Sequence, residues 1–264
     1  MSSQRSATVV TSSPESPPPA PLVRYGGHAD HVANLHLPAE DGGPWPCVVL
    51  LHGGFWRERW DRTLMTPLAI ALARSGFAAW NLEYRRVGQD GGGWPGTLED
   101  VAAGFDAVAD HPELDPARVV AVGHSAGGHL ALFLASRTDG RVRPSAVVAL
   151  AGVVDLGTAH ALDLGSGAVA ALLGGGPNEV PDRYRLADPA ARLPLGVRQL
   201  LVHGTDDDVV PISLARGYAE RARRAGDTVE LLELPGVDHF DVVDERHTAW
   251  RSLVDRLSDL FETA

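Results

Sequence analysis

The sequence predicts an α/β protein: a mostly parallel sheet covered by helices on both faces. Short apolar runs recur along the chain, among them Val48–Leu51, Val119–Val122 and Ala146–Leu150. Segments with helical spacing of apolar residues separate them, which is the pattern of strands joined by crossover helices. The bulk composition agrees, since 264 residues with 44 % hydrophobic and 22 % charged side chains can bury a sizeable core.

In chain order, the elements follow from local pattern. Residues 1–21, rich in Ser and Pro, carry little to bury and read as a disordered tail; a Pro-rich docking ligand is the alternative. Residues 22–264 form one catalytic domain in this reading. His31–Leu37 alternates polar and apolar residues, as a half-buried strand does. Pro46–Leu51 is a buried strand running into a glycine loop. Asp61–Arg74 has helical spacing through Leu64, Leu68 and Leu72, Gly76 stops it, and Phe77–Leu82 is the next strand. Thr97 and Asp100 resemble a capping box that opens a helix through Val101, Phe105 and Val108. Val119–Val122 is a strand, Ser125–Ser136 a helix, and Ala146–Leu150 and Gln199–Val202 are further strands. Ile212–Arg224 is a helix, Val229–Leu234 a strand, and Val243–Phe261 a closing helix. Residues 155–197 break the rhythm with Gly165, Gly167, Gly174, Gly175 and Gly176 and four prolines among short apolar pieces, an irregular insertion that reads either as a lid or as a packed surface excursion.

Composition excludes several chemistries. The formal net charge is −11, which argues against nucleic acid or an anionic membrane surface as partner. No lysine occurs, so Schiff-base catalysis, a Ser–Lys dyad and a phosphate-loop lysine are ruled out. The single cysteine, Cys47, excludes an intrachain disulfide and a multi-cysteine metal site, and suits a cytoplasmic protein. No apolar run is long enough to span a bilayer. No cofactor and no metal are expected; the sequence says nothing of the oligomeric state.

Four motifs carry chemistry. Gly123-His124-Ser125-Ala126-Gly127 lies between a strand and a helix. There a nucleophilic serine sits on a strained turn that only small neighbours permit, and the Ala126 N–H faces a developing oxyanion. His52-Gly53-Gly54-Phe55-Trp56 ends another strand, and its Gly54 and Phe55 N–H groups are the further oxyanion donors. His52 reads as a ring pinning that loop. The nucleophile needs a base, and the base an orienting carboxylate, in the chain order nucleophile, acid, histidine. His203-Gly204-Thr205-Asp206-Asp207-Asp208-Val209-Val210-Pro211 offers three adjacent carboxylates; the spacing favours Asp207, then Asp208, then Asp206. His239, in the loop Gly236–Phe240 after a strand, is the base, and His247 falls inside the terminal helix pattern. The His28, His31 and His36 group has no metal-ligand spacing. Trp56, Tyr84, Trp94 and Phe240 are candidate pocket residues, each with a packing role as the alternative.

On these motifs the chain resembles an α/β-hydrolase, and within that fold it is similar to the arylformamidase (kynurenine formamidase) and small-esterase group. Asn81-Leu82-Glu83-Tyr84-Arg85 and Ala187-Asp188-Pro189-Ala190 extend the likeness, which covers roughly residues 22–262. The resemblance implies hydrolysis of a small acyl substrate, a carboxylic ester or an aryl-formamide, by a Ser125–Asp207–His239 triad without cofactor. Phe55 departs from the tyrosine or third glycine usual there and leaves ester against formamide open. Two rivals remain: a biosynthetic acyltransferase, cyclase or lyase using the same triad, and a non-catalytic binding protein on this fold.

Overall fold

A computed structural model describes residues 20–261. The expected tail therefore lies outside the described residues, but for Ala20 and Pro21. Eight strands make one sheet: β1 (Leu22–Arg24), β2 (Val32–His36), β3 (Trp45–Leu51), β4 (Ala78–Leu82), β5 (Leu114–His124), β6 (Ala146–Leu150), β7 (Arg198–Gly204) and β8 (Val229–Leu234). Their order is β1-β2-β4-β3-β5-β6-β7-β8. β2 runs antiparallel to β1 and β4, and every other pairing is parallel.

The strands are buried on both faces, so their alternating side chains feed two separate cores. Cys47, Val49 and Leu51 of β3 join one cluster, with α2 (Gly96–Asp106), α3 (Ala126–Ala135) and α7 (Ser213–Ala225) above it. Val48 and Leu50 join the other, covered by α1 (Thr66–Arg74) and α8 (Thr248–Phe261). Continuous apolar runs are what such two-faced burial requires.

Several local expectations change. β1 is a three-residue edge strand, too short to show alternation in sequence. Thr97 and Asp100 form no capping box, because the N-cap of α2 is Pro95. The Thr97 hydroxyl instead bonds the Arg85 carbonyl, and Asp100 accepts both the Arg85 guanidinium and the His31 ring. The closing helix starts at Thr248, after a 3₁₀ turn over Asp241–Val243, which leaves His247 outside it. Residues 155–197 fold into three short helices, α4 (Leu156–Ala161), α5 (Ala168–Leu173) and α6 (Pro181–Ala187). Leu156, Ala159, Val169, Leu172 and Leu173 bury themselves in the α2–α3–α7 core.

α3 crosses β3 and β5 at very close range. A Cβ on Gly127 would lie 2.0 Å from the Leu51 carbonyl oxygen, and one on Gly123 would lie 1.9 Å from the Gly127 carbonyl oxygen. Backbone cannot retreat there without moving a central strand. Gly127→Ala is therefore expected to lose more than about 4 kcal/mol of stability, the range of severe core lesions, read as a lower urea midpoint.

Candidate active site

The C-terminal ends of β3, β5, β7 and β8 bring four loops to one edge of the sheet, where open parallel sheets place their ligands. Ser125 follows β5 directly, with φ 56° and ψ −116°. This left-handed conformation of a non-glycine residue is costly. It is held by the Ser125 N–H donating to the Leu150 carbonyl at 2.9 Å, and by the Ser125 carbonyl accepting from Gly128 and Val153. The Ser125 hydroxyl has no hydrogen-bond partner among the described residues.

The loop after β3 is also left-handed, at Gly54 (φ 107°), Phe55 (φ 52°) and Trp56 (φ 57°). Hydrogen bonds hold it in place: the Val87 N–H donates to the Trp56 carbonyl at 2.7 Å, and the Arg57 guanidinium donates to the Gly165 and Ser166 carbonyls. The Trp60 ring lies against Gly54, where a Cβ would approach it to 2.5 Å. Among the described residues, the N–H groups of Gly54, Phe55 and Ala126 donate to no protein acceptor. His52 anchors the start of the loop. Its Nε2 lies 3.0 Å from Glu83 Oε1, its Nδ1 2.8 Å from the Gly53 carbonyl, and its ring stacks on Tyr84 at 4.3 Å. Burial alone would raise the Glu83 carboxyl; the His52 hydrogen bond and the charges of His52 and Arg86 outweigh it and hold that carboxyl below its ordinary value.

Of the three adjacent carboxylates after β7, Asp207 is the one that turns inward. Its Oδ2 lies 2.8 Å from His239 Nδ1, and its Oδ1 accepts the N–H groups of Val209 and Val210 at 2.9 and 2.7 Å. Burial would raise this carboxyl, but hydrogen bonds from His203 and His239, with the Val210 N–H, hold it well below the usual carboxylate range. Asp206 accepts from the Thr205 hydroxyl at the surface instead, and Asp208 is exposed.

His239 is also held through its backbone. The His124 Nε2–H donates to the His239 carbonyl at 2.9 Å, and the two rings lie 4.7 Å apart. Burial, and then the neighbouring His239, push His124 down to about 3. It is a neutral donor at every ordinary pH. His129, on the next turn of α3, donates from Nε2 to the Ala187 carbonyl at 2.9 Å, and burial lowers it to about 4.

Ser125, His124 and His239 open into one cleft of about 190 Å³. Phe55, Trp60, Leu64, Met65, Phe240 and two valines make most of its remaining wall. Of the expected pocket residues only Phe240 lies there. Trp56 and Tyr84 are fully buried, against His129 and His52 respectively, so neither lines the cleft. Trp94 lines a separate groove with Leu98, Phe133 and Arg137. The reason is directional: a residue adjacent to the glycine loop points into the core, whereas Trp60, four residues on, folds back over it. Trp60, Leu64, Met65, Val209 and Val243 were not legible as wall residues, because spacing alone does not say which loop or helix end is brought over Ser125. Among the described residues no group of three His, Cys, Asp or Glu side chains converges as a metal site, and no helix is long and apolar enough to cross a membrane.

The BD-FAE family profile matches residues 33–221, which includes the glycine loop, Ser125 and Asp207. This chain belongs to the BD-FAE family. His239 lies beyond the matched segment, so its place in the site rests on the fold around β8. Three curated relatives of this BD-FAE protein are 25–28 % identical to it. The probable isoprenylcysteine alpha-carbonyl methylesterase of Arabidopsis thaliana is 25 % identical, over 84 % of this chain and 52 % of its own length. The probable carboxylic ester hydrolase LipM of Mycobacterium tuberculosis is 28 % identical over 86 % and 57 %. The kynurenine formamidase of Drosophila melanogaster is 26 % identical over 76 % and 68 %. The chain thus spans about half to two thirds of the length of the curated relatives it matches. Among solved structures, a truncated carbohydrate esterase from gut microbiota superposes with a TM-score of 0.77 at 22 % identity, covering 90 % of this chain and 94 % of that one. Esterase Est2 of Thermogutta terrifontis gives 0.72 at 22 % identity, covering 92 % and 91 %. The fold is that of the α/β-hydrolases, as the strand order independently requires.

The buried neutral histidines make the fold acid-sensitive. In the unfolded chain His124 and His129 take up protons below their ordinary 6.5, whereas in the folded protein they wait until about 3 and about 4. Their stabilising contribution is present above pH 6.5 and is lost as pH falls toward those values. Asp188, raised to about 6 by burial and then by Asp155, works in the opposite sense but is a single group. The urea midpoint should therefore fall between pH 6.5 and 4, and fall less steeply in His129→Gln.

Proposed function

We propose that this protein is a serine hydrolase that cleaves a small carboxylic ester through an acyl-enzyme. The observation that carries the reading is the convergence of Ser125, its hydroxyl without a protein partner, and an Asp207-bonded His239 on one apolar cleft, beside the unpartnered N–H groups of Gly54, Phe55 and Ala126.

His239 takes the Ser125 proton on Nε2 as Oγ forms a bond to the substrate carbonyl carbon. Asp207, bonded to Nδ1, fixes the tautomer that leaves Nε2 free to accept, and stabilises the imidazolium that results. The Gly54, Phe55 and Ala126 N–H groups receive the oxyanion in a cleft walled mostly by apolar side chains. The carbon–oxygen bond to the alcohol then breaks, and the alcohol leaves with the proton held on His239. Water, deprotonated by the same ring, attacks the acyl carbon; the bond from that carbon to Ser125 Oγ then breaks, Oγ takes the proton back from His239, and the carboxylic acid leaves. The hydroxyl–imidazole hydrogen bond that starts this sequence forms on substrate binding, since such bonds are often slack in a free enzyme.

Hydrolysis of an aryl-formamide is the second reading, and the formamidase relative favours it. Against it stands the cleft wall, which offers no charged side chain to a formylated amino acid. A small-molecule acyl substrate, no cofactor and a cytoplasmic setting, in keeping with the buried free thiol of Cys47, complete the proposal.

Turnover of 4-nitrophenyl acetate and of N-formylkynurenine tests the reading. Ser125→Ala is expected to lower kcat on the ester about 10⁴-fold or more, and Asp207→Asn by a comparable factor. Wild-type rates surviving in Ser125→Ala would sink the mechanism. His124→Leu, which removes the donor to the His239 carbonyl, is expected to lower kcat about 10- to 100-fold with little change in KM, the effect of a misplaced catalytic group. His124→Gln, which can restore the donor, should recover part of the loss.

A further inference from the structure

The cleft has a polar floor and an apolar mouth. Its polar side chains are His124, Ser125 and His239, and each already has a role in the chemistry proposed above. Large apolar side chains exposed singly on a surface are ordinary, but clustered ones mark a binding face. Trp60 (40 % exposed), Leu64 (39 %) and Phe240 (63 %) all belong to this one cleft. Met65, fully buried, closes its inner end.

Phe240 stands in a particular relation to the base. Its ring meets the His239 ring at 5.2 Å and 89°. Asp238 Oδ1 accepts the N–H groups of Phe240 and Asp241 at 2.7 and 2.9 Å, and the Phe240 carbonyl accepts from Val243 at 3.0 Å, so the ring is carried on a hydrogen-bonded turn. In an acyl transfer the leaving oxygen must reach the proton on the base. The leaving alcohol therefore departs on the His239 side of Ser125, beneath Phe240 and toward solvent.

From this we infer the substrate class, an inference that rests on the hydrolase reading: esters of an apolar alkyl or aryl alcohol, whose alcohol part lies on Phe240. A sugar alcohol would bring several hydroxyls to a wall that, among the described residues and beyond the groups used in the chemistry, offers only the Trp60 indole N–H, and desolvating the others unpaired is costly. Phe240 is thus the residue that selects the leaving group.

Two isomeric esters separate the two halves of the site, because hexyl acetate and ethyl hexanoate contain the same atoms with the ester reversed. The wild type is expected to favour hexyl acetate about tenfold in kcat/KM. It should also turn over hexyl acetate faster than an acetylated xylose. Phe240→Ala, at a largely exposed position, should bring the isomer ratio close to one, while Phe240→Leu keeps most of it. Labelling of Ser125 by an alkyl fluorophosphonate, measured in each variant, reports the nucleophile independently of substrate choice. A labelled protein that prefers ethyl hexanoate, hydrolyses neither isomer, or keeps its ratio in Phe240→Ala overturns the substrate class and leaves the hydrolase reading standing. An unlabelled Ser125 in a folded protein that turns over no ester removes both.

Discussion

The backbone of Ser125 sits where an L-residue does not rest unaided, and the surrounding structure is arranged to keep it there. Three close approaches hold the turn: Gly123 against Gly127, Gly127 against the Leu51 carbonyl, and Gly53 against Ser125 itself, where a Cβ would come within 3.0 Å. These contacts bind β3, β5 and α3 into one rigid unit. The hydroxyl is presented at the mouth of the sheet and the first free N–H of α3 is aimed beside it. Strain of this kind persists only when packing over-determines it, and two apolar cores on either face of the sheet supply that packing.

From that fixed point the other groups are positioned by reach. β7 and β8 are parallel neighbours, paired from Gln199 with Val229 to Gly204 with Leu234, so the loops that follow them emerge side by side. Asp207 and His239 meet across that gap. The His239 loop is then tied back to the Ser125 turn by the His124 ring, which lies one residue before Ser125 and bonds the His239 carbonyl. Because burial keeps His124 neutral, this tie does not compete electrostatically with the imidazolium of the proposed mechanism. The glycine loop is fastened from a third direction, by the buried Glu83–His52 pair and by the Arg57 contacts with residues 165 and 166. Residues 155–197 thereby touch the N–H donor loop without lining the cleft.

Much of this was legible in the chain. Parallel strands buried on both faces are short continuous apolar runs separated by helical spacing, so β3 to β8 stood out, and β2 showed through its alternation. β1 did not, since three residues cannot display a period. The nucleophile and the glycine loop announce themselves because each needs small residues at fixed places beside a strand end. Asp207 was separable from its two neighbours by spacing, and its burial beneath His239 gives the physical ground for that order. The Thr97–Asp100 pair misled because a capping pattern is local, whereas Arg85 and His31, distant in sequence, engage Asp100 more strongly.

Local chemistry in the sequence therefore determined the fold class, the strained Ser125 turn and the glycine loop, and it offered the Asp207 and His239 side chains that the structure brings together. Those features depend on backbone geometry, and backbone geometry leaves its mark in residue type and spacing. Which aromatic faces the substrate was decided only by the tertiary structure. Trp56 and Trp60 are alike in sequence, yet one is sealed in the core and the other lies over Gly54 at the cleft. Side-chain direction in an irregular loop is set by long-range contacts, here with Val87, Gly165 and the turn that carries Phe240, and no period in the chain records it.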